Sequence, residues 1–162
     1  IFLEIDSPDL LGADRFVNAV ATVSHYRVPA INIDFGTALV IDYIDHNKVF
    51  KGGLIMPGVQ TSLNVLSTAT AQLPRISLDK PETVVGKNTI SAIQSGIYNG
   101  YTSLVNGLIE KIQIENGKVD NIIITGGMAE FFEKNLKFPV IYDRILTIKG
   151  LIKLSEMNDL KK

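Results

Sequence analysis

The chain of 162 residues predicts an α/β fold, a mixed sheet with helices packed on it. Three observations carry that expectation. Between residues 30 and 57, apolar runs follow one another across very short polar turns, the mark of antiparallel strands joined as hairpins. After residue 88 the apolar residues recur instead at three and four positions, the period of a helix. A further apolar run, "VDNIIIT", then ends on Gly126-Gly127 and gives way to alternating short segments of both kinds. Apolar residues at 46% and charged residues at 20% suit a globular chain with a real core.

Each element can be justified in order. Residues 1 to 12, punctuated by Pro8 and Gly12, read as a leading segment. In "ADRFVNAVATVSHY", residues 13 to 26, Phe16, Val17, Val20, Ala21 and Val23 have broadly helical spacing, and Pro29 stops the helix. "AINIDF" and "ALVIDYI" read as buried strands, "DHN" at 45 to 47 as a turn, and "KVFKGGLI" as the returning third strand. A loop bracketed by Gly52-Gly53 and Pro57-Gly58 leads to a helix over 61 to 73. Residues 74 to 83 should be extended, since Pro74 and Pro81 oppose a helix. A long amphipathic helix follows "GKNT" and runs to about Ile114, with Ile93, Ile97, Tyr101, Leu104, Leu108 and Ile112 in its apolar pattern. Asn116-Gly117 turns the chain into the strand "VDNIIIT". A short helix, a short strand at Val140-Ile141 and a terminal helix with a Lys-rich end complete it.

Composition also excludes function classes. A net charge of -1 gives no electrostatic footprint for nucleic acid or an anionic membrane. No apolar run approaches the ~18 residues of a membrane span. With no cysteine there is no disulfide scaffold, thiolate metal site or cysteine nucleophile, and an intracellular, cytoplasmic location is the default expectation. The chain begins with Ile1 rather than Met, as expected of a processed N-terminus or part of a longer protein.

Three glycine-bearing stretches share one pattern, an apolar strand feeding small residues. They are Asp34-Phe35-Gly36-Thr37, Gly52 to Gly58, and Thr125-Gly126-Gly127. Glycine lets a ligand approach the backbone closely, and exposed amides beside a threonine hydroxyl suit phosphate. A carboxylate at the strand end can hold a cation near that phosphate. Taken singly, each stretch reads more readily as a tight turn than as a site. Taken together, they point to a nucleotide or phosphorylated ligand, although neither a P-loop nor a dinucleotide fingerprint is present. In "GADR", Gly12 to Arg15, Asp14 stands at a helix start, where the dipole favours an ionised carboxylate able to accept a substrate proton. Arg15 beside it can fork onto a substrate carboxylate. On spacing alone, a first-turn Asp with a solvated Arg beside it is the preferred reading. Asn88 or Thr89 should cap the long helix, and Lys87 is a phosphate contact or simply solvated. His25 and His46 read as surface residues, Asp42 and Asp45 as polar hairpin positions, and Phe131-Phe132 as core.

In this order, "GADRFVNAVA", "IDFGTA", "GGLIMPG", "LPRISLDKPETVVGKNT", "QSGIYNGYTSLVNGLIEKI" and "ITGG" resemble the type III pantothenate kinases from about residue 8 onward. The resemblance implies the ribonuclease-H-like fold of the actin/sugar-kinase/heat-shock-protein superfamily, with ATP held between two halves. It implies residues 1–27 as the end of an N-terminal half with a linking helix, and 28–162 as the C-terminal ribonuclease-H-like domain. The implied activity is ATP-dependent phosphorylation of pantothenate, with Mg²⁺ and a monovalent cation, K⁺ or NH4⁺, and a homodimer as the assembly. Residue by residue, Asp14 resembles the catalytic base. Gly12, Ala13, Asp14 and Arg15 resemble the pantothenate-binding strip, and Thr89 a further pantothenate contact. Asp34 resembles the cation ligand, Gly36 and Thr37 an ATP-phosphate contact, and Gly126 and Gly127 the adenosine-side glycines.

The chain departs from the family pattern in one large respect and two small ones. It lacks the Asp-x-Gly-Asn-Thr phosphate loop of the N-terminal half, so most of that half, and its side of the ATP cleft, is expected to lie outside this sequence. Leu39-Val40 replaces a more polar pair, and Asn106 stands where an acid is common. If the chain acts without that loop, a non-catalytic pantothenate-binding or regulatory homologue is the alternative reading.

Overall fold

Alternation along one strand sets the architecture. In β2 (Ala30–Phe35), Ile31, Ile33 and Phe35 point to one face of the sheet and Ala30, Asn32 and Asp34 to the other. Both faces are covered, so every residue of the strand but Asp34 is buried, although Asn32 and Asp34 interrupt its apolar run. The computed structural model describes residues 1–69 and 76–159, with the side chains of 67–69 left out.

Six strands form one sheet in the order β1-β4-β3-β2-β5-β6. The hairpin strands β2, β3 (Ala38–Ile44) and β4 (Val49–Pro57) are antiparallel, with Asn32 opposite Asp42 and Ile41 opposite Leu54. On the other edge of β2, β5 (Asn121–Thr125) runs parallel, pairing Asp34 with Thr125, and β6 (Ile141–Tyr142) continues parallel beyond it. Parallel neighbours need a long crossover. It is supplied by α2 (Val59–Ala69) and the 28-residue α3 (Thr89–Asn116) before β5, and by α4 (Ala129–Glu133) before β6.

The sheet is the middle of three layers. On the Ile31–Ile33–Phe35 face, Val59 and Leu63 of α2, Ile97, Val105 and Ile109 of α3 and Phe132 of α4 complete the main core. Phe35 stacks on Phe132 with ring centres 5.1 Å apart, and Tyr98 and Phe131 close round them, so the Phe131-Phe132 pair is core as expected. On the opposite face lie α1 (Ala13–His25) and α5 (Leu146–Asp159), where Ala21 and Leu146 meet Ala30 and Ile123, and Ala19 meets Ile44 and Phe50. The two helices approach closely because Gly150 leaves no room for a methyl group, which would sit 2.1 Å from the Val17 carbonyl oxygen.

The expected α/β class is what forms, with several differences in detail. The third strand extends to Pro57, so Gly52-Gly53 lie within it and belong to no loop. Gly52 adopts φ +105° beside the register shift at Tyr43/Ile44, a backbone that an L side chain resists. α2 begins at Val59, two residues early; the rest of the helix expected over 61–73, the start of the extended 74–83 segment and the Lys-rich terminus lie outside the described residues. α3 is capped by Asn88, whose side chain accepts from the Ser91 amide while Ser91 reciprocates. The leading segment is not featureless: β1 (Phe2–Leu3) pairs parallel with β4, and Pro8–Leu10 forms a 3-10 turn. Asn106 is buried and accepts from the Lys137 amide, which gives it a structural role in the place of the usual acid. Among the described residues no helix is long and apolar enough to cross a membrane.

Candidate functional site

The sheet reverses its pattern beside β2, which has an antiparallel neighbour on one side and a parallel one on the other. Ligands in open α/β sheets favour the carboxyl ends of strands at such a switch. Here the carboxyl ends of β2 and β5 lie side by side, and the turns leaving them are Gly36-Thr37 and Gly126-Gly127. Gly126 has φ +93°, and a methyl on it would lie 2.5 Å from Asp34 Oδ1 and 2.7 Å from the Phe35 backbone. Gly58 closes the same end from the other side. Its amide donates to the Thr37 carbonyl at 2.9 Å, and a methyl there would overlap the Gly36 carbonyl. Gly36, Gly58 and Gly126 thus lie at one end of the sheet, while Gly53 has another task.

That task concerns Asp42. In the sequence it reads as a polar hairpin position; in the structure it is buried on the α1 face and bound by Arg15. Arg15 Nε donates to both Asp42 oxygens at 3.0 and 3.3 Å, Nη2 adds a shorter bond, and the guanidinium lies over the Phe50 ring. Gly53 stands opposite Asp42, and a methyl on it would sit 2.3 Å from Asp42 Oδ1, so only glycine makes room for this pair. The reading of a solvated Arg15 gives way to an anchored one; Nη1 is the guanidinium nitrogen outside the pair.

Asp14 is exposed in the first turn of α1, with its Oδ1 accepting from the Arg15 amide at 2.9 Å. Gly12, the residue before the helix, keeps space clear, since a methyl there would fall 2.7 Å from that oxygen. Asp14, Arg15, Asn18, Asn32, Asp34 and Asp42 surround one small cavity of about 10 Å³. The rows explain the gathering. Asp14 and Asn18 are one helical turn apart, and Asn32, Asp34 and Asp42 share the sheet face that α1 covers. Burial pushes the Asp34 carboxyl above its ordinary range, a bond from Asn18 Nδ2 at 3.3 Å pulls it down, and the Asp14 charge pushes it up. Burial likewise raises Asp42, against the pull of Arg15. Among the described residues no cationic side chain pairs with Asp34.

Two larger cavities adjoin. One of about 340 Å³ is bounded by Asp34, Gly126, Gly127, Glu130 and Arg144. The other, about 790 Å³, shares Gly127 and Glu130 and extends over Tyr98, Phe131 and Asn135. An acidic floor, glycine turns, one arginine and a roomy aromatic-walled annex suit a ligand with a phosphate end and a planar end. Among the described residues no group of three or more His, Asp or Glu is placed to hold a metal.

Gly12, Ala13, Asp14, Arg15 and Asp34 thus come together, and Gly36, Thr37, Gly126 and Gly127 adjoin them. Thr89 does not: it is exposed on the first turn of α3 and lines none of these cavities. His25 and His46 are exposed, as expected. Asn18, Asn32 and Arg144 escaped the sequence reading. The signal for two of them was present, an amide four residues after Asp14 and another two before Asp34.

The profile of the type III pantothenate kinase family matches residues 1–111. A type III pantothenate kinase of Sulfurihydrogenibium sp. is 46% identical over 149 residues, 92% of this chain and 59% of that protein. One from Rhodospirillum rubrum is 46% identical over 154 residues, 95% of this chain and 60% of its own. The chain therefore spans about three-fifths of the length of these relatives. Among solved structures, a Campylobacter jejuni protein assigned to the Baf family of transcriptional activators superposes with a TM-score of 0.67 at 25% identity, over 98% of this chain and 69% of that one. The activator of 2-hydroxyisocaproyl-CoA dehydratase from Clostridium difficile, solved with bound ADPNP, gives 0.53 at 12% over 91% and 68%, a likeness of fold alone. With the profile covering more than half of the chain and identities of this size, the chain belongs to the type III pantothenate kinase family.

Proposed function

We propose that this protein transfers the γ-phosphoryl group of ATP to pantothenate, giving 4'-phosphopantothenate and ADP, the first step of coenzyme A biosynthesis. The observation that supports it most is the meeting of an exposed carboxylate, Asp14, with a half-buried one, Asp34, that has no cationic partner among the described residues, where the glycine turns of β2 and β5 converge. Phosphoryl transfer asks little covalent chemistry of a protein and much positioning. Asp14 orients the primary hydroxyl of pantothenate and accepts its proton as the oxygen attacks the γ-phosphorus. Gly12 and Ala13 let the substrate approach, and Arg15, fixed on Asp42, offers Nη1 to its carboxylate. Gly36, Thr37 and Arg144 face the phosphates, and the cavity beyond Gly126-Gly127 receives the nucleoside. A monovalent cation (K⁺ or NH4⁺) held by Asp34 supplies positive charge beside those phosphates. Among the described residues no group of three or more His, Asp or Glu is placed to hold Mg²⁺, which on this reading arrives with the nucleotide.

Thr89 enters through assembly. It does not line the Asp14 cavity within one copy, so on this reading its pantothenate contact is made to the site of a second copy, in a homodimer. The exposed face of α3 carries Gly96, Gly100 and Ser103, small enough for another helix to lie close. A cytoplasmic location follows from the pathway.

The test is phosphopantothenate formation from ATP, Mg²⁺ and K⁺, read by mass spectrometry on this chain and on the product of its complete reading frame. Asp14→Asn should keep pantothenate binding while kcat falls by about 10²–10⁴. Turnover near wild type in that variant would remove Asp14 as the base. Binding without turnover in the wild-type protein would favour a pantothenate-binding homologue instead.

A further inference from the structure

Asn18 has no task in the chemistry above, yet both ends of its side chain are engaged. It is 4% exposed, one turn beyond Asp14 on α1. Its Nδ2 donates to Asp34 Oδ2 at 3.3 Å, and its Oδ1 accepts from Thr147 Oγ1 at 2.7 Å. Thr147 lies in the first turn of α5, the helix that packs along α1, so the contact exists only because those two helices dock. Thr22 and Asn32 hydrogen-bond to each other beneath, and Thr22 also bonds the Asn18 carbonyl, which fixes that turn of α1.

We propose that Asn18, held by Thr147, is a positioning residue that fixes the carboxylate of Asp34. The inference rests on the kinase reading for what Asp34 does, but not for the geometry. The two ends of the amide are not equivalent. Turned over, it would set its oxygen against a carboxylate oxygen, a repulsion whenever Asp34 is ionised. Donated as it stands, its N–H leaves Asp34 Oδ1, the oxygen beside Gly126, to meet what binds in the cleft. At 3.3 Å the bond is long, so its value lies in direction more than energy. Without the Thr147 hydroxyl, Asn18 Oδ1 would be a buried acceptor with no donor, and the amide would reorient to find one.

The experiment compares wild type, Thr147→Val and Thr147→Ser in the protein of the complete reading frame. The side-chain amide of Asn18, assigned by its loss in Asn18→Ala, is followed by ¹H–¹⁵N correlation spectra during a KCl titration, with thermal melts to confirm folding. The wild type should show two resolved, slowly exchanging amide protons and a saturable K⁺ shift. T147V should lose the exchange protection and need about tenfold more K⁺, with kcat down by about tenfold or more and the pantothenate KM unchanged. T147S, which keeps the hydroxyl, should rescue all of these. An intact amide signature in T147V, or its loss without change in K⁺ dependence, would overturn the proposal. Absence of phosphopantothenate from the wild type would sink the kinase reading alone. The K⁺ titration would then decide: weaker K⁺ response in T147V supports positioning, and an equal response refutes it.

Discussion

Asp34 and Asp42 lie two strand positions from being neighbours, on one face of the sheet, and the protein treats them oppositely. Burial raises both carboxyls. Asp42 is answered from within the chain, by a forked Arg15, an aromatic ring beneath the guanidinium and a glycine opposite that makes room. Asp34 receives only one long bond from an amide and feels the charge of Asp14. A third buried acid repeats the first pattern. Burial works against the charge of Asp143, yet Lys149, Tyr26 and the Ile145 amide outweigh it and hold this carboxyl below the usual range. Two of the three acids are therefore structural and satisfied. The third, Asp34, has no cationic partner among the described residues.

Breaking the satisfied pair should have the largest effect. Arg15→Met keeps the apolar stem but leaves Asp42 buried without its cation, which should cost about 3 kcal/mol or more in urea unfolding. Adding Asp42→Leu should return much of that loss, since two apolar side chains need no partner. If the single variant unfolds at the wild-type urea concentration, Asp42 is solvated in solution and the contrast with Asp34 fails.

Asp34→Asn tests the other half of the comparison and should reverse the sign. A group whose folded pKa is raised contributes stability below its unfolded pKa and loses it as pH rises through the folded value. At neutral pH, ionised Asp34 is thus a cost to the fold, and the neutral amide removes it. The variant should melt a few degrees higher without K⁺ and lose the gain that K⁺ gives the wild type, while kcat falls by about 10² or more. A lower melting temperature without K⁺ would mean that Asp34 is a structural acid like Asp42.

How much of this was legible follows from the range of each interaction. The strands over 30–57, the capped start of α3 and the turn glycines at 36 and 126 are local matters of periodicity and backbone, and the sequence carries them. Asp42 was misread because its partner is 27 residues away and its clearance comes from Gly53 across the hairpin. Gly52-Gly53 were taken for a loop because a glycine pair usually punctuates; here one relieves a bulge and the other makes space. The tie that holds Asn18 was invisible for a related reason, its partner Thr147 being 129 residues away on α5. The two-residue β1 has no periodicity to detect and exists only because β4 offers an edge.

The smallest expected effect extends the contrast from charges to shape. α3 carries Gly96, Gly100 and Gly107, and a methyl group added to any of them would meet nothing within 4 Å. Nothing among the described residues requires glycine there, unlike Gly53, Gly126 and Gly150, where a methyl would strike backbone or a carboxylate. A glycine inside a helix costs roughly 0.5–1 kcal/mol against alanine. Gly96→Ala with Gly100→Ala should therefore stabilise an isolated copy by about 1–2 kcal/mol. If the bare face of α3 is where two copies meet, the same methyls would push the helices apart. The double variant should then melt higher at low protein concentration but dissociate at a concentration where the wild type sediments as a dimer. A higher melting temperature with unchanged sedimentation would move the seam off this face and leave Thr89 without the second copy proposed for it. Loss of the dimer together with a higher pantothenate KM would join the open face of α3 to the open carboxylate of Asp34, since each would be completed only by what the folded chain binds.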